Sequence, residues 1–214
     1  MNQGMINGME IKLILVIILS YLIGSIPWAY IIVKLFYSED LRQKGTGNIG
    51  AMNSYDITGK KWIGVAVFIL DCIKGIVSVL LARIISNDNI IPVAASGFFV
   101  ILGHNFSVFM KFKGGRGLSS AVGVSLMINP LLFIIWALVW VVEYKLIKKD
   151  IHIANISATI LLPAFLLIIP GNILVMLTII PHFNRDMLIS LSISICLLIL
   201  IRHFKPIYDL IKKT

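Results

Sequence analysis

The chain has 214 residues, of which 58% are hydrophobic and 14% charged, with a mean hydropathy of +0.96 and a formal net charge of +9. That composition is too apolar for an ordinary soluble domain and points to an all-α polytopic membrane protein, organised as a single domain over residues 1–214. A positive balance of this size would also suit nucleic acid, but the cations gather at the ends of apolar runs, which excludes that partner in favour of the lipid bilayer.

The first ten residues carry no Lys or Arg, and no small-residue cleavage site follows the first apolar run, so residues 11–33 are expected to form an uncleaved first helix. A polar stretch with Gly45-Thr46-Gly47-Asn48-Ile49-Gly50 comes next, and then apolar runs at 62–86 and 91–110. Lys111-Phe112-Lys113-Gly114-Gly115-Arg116-Gly117 makes a second glycine-rich, basic loop. Two short runs follow at 118–128 and 131–142, parted by Asn129-Pro130, which reads as a tight turn or a break within one helix. Runs at 153–169 and 187–201 complete the set, giving about seven transmembrane helices. Residues 170–186 mix apolar and helix-breaking residues and read as an interfacial or half-inserted segment.

Positive loops stay on the cytoplasmic side, and this sets the orientation. With the N-terminus outside and the C-terminus cytoplasmic, fifteen of the nineteen Lys and Arg residues face inward. They are Lys34, Arg42, Lys44, Lys60 and Lys61; Lys111, Lys113 and Arg116; Lys145, Lys148 and Lys149; and Arg202, Lys205, Lys212 and Lys213. Lys12, Arg83 and Arg185 fall near the outer face and Lys74 lies within a span. Both glycine loops are then cytoplasmic.

Glycine lets backbone N–H groups approach an anion with no side chain in the way, and Lys and Arg add charge. The first loop spells G-x-G-x-x-G, yet an apolar membrane run precedes it where a dinucleotide fold needs a strand, so a nicotinamide or flavin site is rejected. What remains is a phosphate cradle of Gly45, Gly47 and Gly50, with Thr46, Asn48 and Asn53 as side-chain donors. A flexible interfacial turn is the alternative. In the second loop, no Gly-Lys is followed by Ser or Thr, which excludes a Walker A loop. Arg116, between Gly115 and Gly117, suits bidentate binding of phosphate oxygens, with Lys111, Lys113 and Gly114 beside it. Headgroup anchoring by a basic turn is the competing use.

The four histidines share no helix-face spacing with carboxylates, so neither a metal nor another cofactor is expected. His104, at a helix end, reads as a structural hydrogen-bonder or a site residue. Asp71 and Lys74 lie three apart in mid-span, on one helix face, and read either as an ion pair bracing the bundle or as lining of a site. Cys72 and Cys196, inside apolar runs, read as inert packing. None of His104, His152 and His203 is followed five residues later by Asp: the residues there are Phe109, Ser157 and Tyr208.

Several stretches occur together and in order: Gly24-Ser25-Ile26-Pro27, Gly45 to Asn53, Leu70-Asp71-Cys72-Ile73-Lys74-Gly75, Gly103-His104-Asn105-Phe106, Phe112 to Gly117, Asn129-Pro130 and Arg202-His203. This ordered set resembles the integral membrane acyl-phosphate:glycerol-3-phosphate acyltransferases of bacteria, the PlsY family. The resemblance implies a seven-helix, multi-pass protein of the bacterial cell membrane with its active site on the cytoplasmic side. The implied reaction moves a fatty acyl group from acyl phosphate to the 1-hydroxyl of glycerol 3-phosphate, giving lysophosphatidic acid for phospholipid biosynthesis. Ser25 and His104 join the phosphate-binding set on this footing, and His203 joins Arg116 as catalytic, orienting the hydroxyl or accepting its proton.

The chain also departs from the family's pattern. Thr46 stands for a usual Ser and Arg116 for a usual Lys, while Ser107 replaces a Pro. Asp56 falls where the family has an arginine, and Phe204 and Pro206 replace an Arg and an Asn. Pro206 is expected to disfavour helix just upstream of it. Asp56 and Pro206 motivate one alternative, a diverged paralogue that binds a phosphorylated lipid without turnover. A small transporter is a second, suited by Asp71 and Lys74 but not by spans without repeats.

Overall fold

The computed structural model describes residues 3–147 and 149–212. Lys148 and Lys213 of the charge pattern, with the side chain of Lys205, lie outside that description. The described residues form helices and no strands, in two compact units, Met1–Val124 and Ser125–Thr214. Six helical segments are long and apolar enough to cross a membrane: Gly8–Tyr37, Lys61–Ser86, Ile90–Met110, Pro130–Ile147, Ile151–Ile168 and Arg185–Phe204. Leu118–Ile128 is apolar but only 11 residues long. At about 1.5 Å per residue it covers roughly half of a hydrocarbon layer about 30 Å thick.

In the first unit, α1 (Gln3–Ser25) and α2 (Trp28–Tyr37) replace the single helix expected over 11–33. Pro27 is the cause: it has no N–H to donate and it disfavours helical geometry at Ile26. After the short α3 (Ala51–Thr58) come α4 (Lys61–Ser86) and α5 (Ile90–Asn105). A 3-10 turn at Val108–Met110 leads to the second glycine loop and α6 (Leu118–Ile128).

Glycines set how closely these helices approach. A Cβ at Gly24 would strike the Val100 carbonyl, and one at Gly103 the Tyr21 carbonyl, so α1 and α5 touch backbone to backbone. Gly75 on α4 and Gly123 on α6 meet the Ser120 and Cys72 carbonyls in the same way. At the end of the unit that carries the loops, a small core of Ala29, Val33, Leu41, Ile49, Ile63, Val67 and Met110 is buried. Leu41 and Ile49 belong to the first loop region, so burial of these apolar side chains pins an otherwise polar segment to α2 and α4.

The second unit holds α7 (Pro130–Val142), which continues as a π turn over Glu143–Ile147, then α8 (Ile151–Ile168), α9 (Gly171–Met176) and α10 (Arg185–Ile211). Asn129 is fully buried and resolves the choice left at Asn129-Pro130: its side chain caps α7 through the Leu131 N–H at 3.0 Å, and α6 ends before it. Its amide also donates to the Leu174 carbonyl at 2.8 Å and to Thr178 Oγ1 at 3.0 Å. Trp136 and Trp140 tie α7 to α8 through Thr159 and Asn155. Within 170–186 only the six residues of α9 are helical before α10 begins at Arg185. Contrary to expectation, α10 runs on through Pro206, because a proline removes one ladder hydrogen bond and here does not end the helix.

Candidate active site

The first loop is folded around Asn53, at the start of α3 and 1% exposed. Its Oδ1 accepts the Thr46 N–H at 2.9 Å, and its Nδ2 faces the carbonyls of Asn48 at 2.8 Å, Lys44 at 3.3 Å and Leu41 at 3.4 Å. The side chain expected to reach a phosphate is thus engaged by the loop's own backbone. Gly45 and Gly47 take positive φ, and at Gly45 a Cβ would also collide with Asn53 Oδ1. Thr46 is exposed and its hydroxyl accepts the Asn48 N–H at 3.4 Å; Asn48 is half-buried. Gly50 precedes α3, and its carbonyl accepts from Ser54 Oγ at 2.9 Å.

The cations beside this loop have acidic neighbours. Arg42 pairs with Asp40 at 2.6 Å and lies over the Tyr30 ring, while Lys44 pairs with Glu39 at 2.7 Å. The hydrogen bonds from Arg42 hold the Asp40 carboxyl down at about 2. Asp56 is exposed on α3.

The second loop is built on the end of α5. The Gly115 N–H donates to the His104 carbonyl at 3.0 Å, and the Phe112 N–H to the Ser107 carbonyl at 2.8 Å. Lys111, Phe112 and Lys113 are exposed, Gly114, Gly115 and Gly117 buried, and Arg116 half-buried. Gly114 packs on the His104 carbonyl, and a Cβ at Gly115 would overlap His104 Nε2. Gly117 has φ of 87° and begins the turn into α6.

The two loops meet. The Ile49 N–H of the first donates to the Gly114 carbonyl of the second at 3.4 Å. Beneath that contact lies a small polar cavity of about 10 Å³, bordered by Ser25 and Pro27 at the α1–α2 break, Ile49, His104, Ser107, Gly114 and Gly115. The same cavity is bordered by Asp71 and Lys74, so the mid-span pair is both a brace and a wall of the site. Room of roughly 10–15 Å³ is the minimum for one water, so this cavity is no larger than a single water needs. Ser25 is fully buried and its Oγ donates to the Gly103 carbonyl at 3.4 Å; its own carbonyl accepts from Ser107 Oγ at 2.5 Å.

Ser25, His104, Gly114 and Gly115 are therefore gathered in one place, with the first loop joined through Ile49. Ser107, Asp71 and Lys74 complete the wall; of these, only the two ionisable residues carried a signal in the sequence, as charges in mid-membrane. His203 belongs to the second unit, on α10, where it is 1% exposed with Nδ1 2.8 Å from the Ile199 carbonyl. A carbonyl only accepts, so Nδ1 is the donor in this contact.

Comparison with known proteins gives one consistent answer. The family model described as glycerol-3-phosphate acyltransferase matches residues 14–213. Glycerol-3-phosphate acyltransferase 2 of Bacillus anthracis is 39% identical over 201 residues, 94% of this chain and 96% of that protein. A glycerol-3-phosphate acyltransferase of Streptococcus equi subsp. zooepidemicus is 35% identical over 196 residues, 90% of this chain and 86% of that one. Among solved structures, PlsY (YgiH), an integral membrane glycerol 3-phosphate acyltransferase, matches in its glycerol 3-phosphate form with a TM-score of 0.78 and 33% identity, covering 94% of this chain and 92% of that one. Its lysophosphatidic acid form matches with a TM-score of 0.75 and 31% identity over the same shares.

Proposed function

The chain belongs to the glycerol-3-phosphate acyltransferase family, and from that premise we propose that its acyl donor is an acyl phosphate and its product lysophosphatidic acid. It is a multi-pass membrane enzyme of phospholipid biosynthesis that acylates glycerol 3-phosphate, and neither a non-catalytic paralogue nor a transporter is favoured by its relatives. In this reading the whole of 1–214 works as one domain in the bacterial cell membrane, with the glycine loops facing the cytoplasm, a placement that the distribution of Lys and Arg supports.

The hydroxyl oxygen at C1 of glycerol 3-phosphate attacks the acyl carbonyl carbon, the bond from that carbon to the phosphate oxygen breaks, and inorganic phosphate leaves. Acyl phosphate is a mixed anhydride with a good leaving group, so no covalent enzyme intermediate is required. The protein's task is to hold two anionic phosphates side by side and neutralise charge on the departing one. Gly45, Thr46, Gly47, Asn48 and Gly50 form one cradle, shaped by Asn53. Gly114, Gly115 and Gly117 form the other, where Arg116, Lys111 and Lys113 supply positive charge and Ser25 and His104 shape the wall. His203 orients the hydroxyl or takes its proton, unless a substrate phosphate takes it.

The observation that carries this reading is the Ile49–Gly114 hydrogen bond, which makes the two loops neighbours. Purified protein in detergent, given acyl phosphate and glycerol 3-phosphate, should release inorganic phosphate. Intact acyl phosphate at the level of a heat-killed control would refute the donor. Arg116→Ala should lower turnover about 100-fold, the usual scale for losing one charge-stabilising donor, with Arg116→Lys retaining more.

A further inference from the structure

The pair Asp71–Lys74 lies on α4, well apart in sequence from both glycine loops, and both residues are nearly inaccessible, at 2% and 4% exposed. Three acceptors surround the Lys74 ammonium: Asp71 Oδ1 at 2.9 Å, the Gly24 carbonyl at 2.9 Å and the Ile26 carbonyl at 3.3 Å. An ammonium has three N–H donors, so this set matches its capacity. Both carbonyls belong to the α1–α2 break. In an unbroken helix the Gly24 carbonyl would accept the N–H of Trp28, but that N–H goes instead to Ile26 at 3.1 Å. Lys74 therefore supplies the donor that the break at Pro27 takes away.

On its other side the pair reaches the second glycine loop. Asp71 Oδ1 lies 3.6 Å from His104 Nδ1, which sets the carboxylate beside the imidazole. The far nitrogen of that ring, Nε2, fills the space a side chain at Gly115 would need, and the His104 carbonyl holds the Gly115 N–H. One buried line of contacts thus runs from the helix break, through Lys74, Asp71 and His104, to Gly115.

Bundle stability alone gives little reason for such a pair, because replacing a buried ion pair with apolar residues of similar volume is commonly neutral or stabilising. What an apolar pair could not do is hold two carbonyls and orient an imidazole. We infer that Asp71 and Lys74 are positioning residues for acyl transfer: by fixing the α1–α2 break and the ring of His104, they hold the Gly114–Gly115 backbone in the shape that receives phosphate. This rests on the reading of the second loop as a phosphate site that shares one pocket with the first through the Ile49–Gly114 contact, so that glycerol 3-phosphate binding reports on both loops.

The decisive variant is the double Asp71→Leu/Lys74→Met, which removes both charges at once and leaves none buried alone. Glycerol 3-phosphate binding is measured by calorimetry on detergent-purified wild type and variant, with a thermal melt to establish folding and the KM–kcat split for turnover. The expected result is a folded variant with glycerol 3-phosphate Kd and KM raised at least about tenfold, the scale of lost supporting contacts behind a site. Wild-type Kd and kcat/KM in a folded variant would overturn the inference. Should the double variant fail to fold, Asp71→Glu decides: it keeps the charge but moves it by one methylene against His104, so Kd should rise, and an unchanged Kd overturns the inference. Wild type that binds no glycerol 3-phosphate would sink the phosphate-loop reading, and the inference with it. Wild type that binds glycerol 3-phosphate but leaves acyl phosphate intact would remove only the donor assignment, and the binding comparison would still decide.

Discussion

The two compact units of this chain solve helix packing in different ways. Fifteen of the sixteen glycines precede Val124, and the remaining one is Gly171. In the first unit, glycines let α1 touch α5 and α4 touch α6 through backbone. In the second, α7 meets α8 through long side chains, Trp136 to Thr159 and Trp140 to Asn155. Backbone contact tolerates almost no added volume, whereas side-chain contact can re-pack. The unit that brings the two loops together is the one built without slack, as fixed positioning of a substrate demands.

The sharpest way to break that comparison is to add one methyl group to each unit. At Gly115 the new Cβ has nowhere to go: His104 is 6% exposed and its ring stands beside Asp71. Gly115→Ala should lower turnover about 100-fold, as expected when reacting groups are displaced by about an ångström. At Gly171 the Cβ lies 3.0 Å from Arg185 Cδ, part of a flexible side chain that can swing away. Gly171→Ala should keep turnover within about twofold and leave the helix unharmed or slightly firmer. Phosphate-release assays on both decide the matter; equal losses would show that the contrast between the units is not functional.

Asn53→Ala tests the same idea inside the first loop. Removing the amide leaves the Thr46 N–H without the side-chain acceptor, and the Asn48 carbonyl without the donor, that hold the loop together. A cost of about 1–3 kcal/mol is usual for stranding buried polar groups. Because Asn53 shapes the cradle, the expected outcome is a glycerol 3-phosphate KM raised about tenfold with a smaller fall in kcat, since positioning errors reach binding first. A loss confined to kcat would return Asn53 to direct contact with the reacting phosphate.

Residue patterns anticipated some of this and missed the rest for identifiable reasons. The runs at 62–86 and 118–128 match α4 and α6 because apolar runs bounded by polar residues admit little but helix in a membrane, whatever their length. Over 11–33 hydropathy is blind to the break between α1 and α2, and Pro27 carries the signal. Asp71 and Lys74 were legible as a pair from their spacing of three, but the Gly24 and Ile26 carbonyls are some fifty residues away and leave no local pattern. That the loops meet depends on how α1, α4 and α5 pack. No motif within either loop encodes it.

Asp56 gives the smallest expected effect and the most direct test of how the two loops divide their labour. It is exposed on α3, three residues beyond Asn53, and the nearby cations Arg42 and Lys44 already face Asp40 and Glu39. The first loop therefore offers backbone geometry with little net positive charge, while the second offers Arg116 with Lys111 and Lys113. If that division is real, Asp56→Arg adds a solvated cation to a cradle that functions by shape, worth up to about 1 kcal/mol, or about a fivefold fall in glycerol 3-phosphate KM. The gain should shrink between 50 mM and 500 mM salt, because an exposed charge is screened over about a Debye length. A gain far beyond fivefold, insensitive to salt, would mean that the new guanidinium reaches the phosphate directly and that shape alone had not been sufficient. A rise in KM would mean that Asp56 itself supports the bound substrate, and the charge asymmetry between the loops would then be a requirement of this chain rather than a deficit.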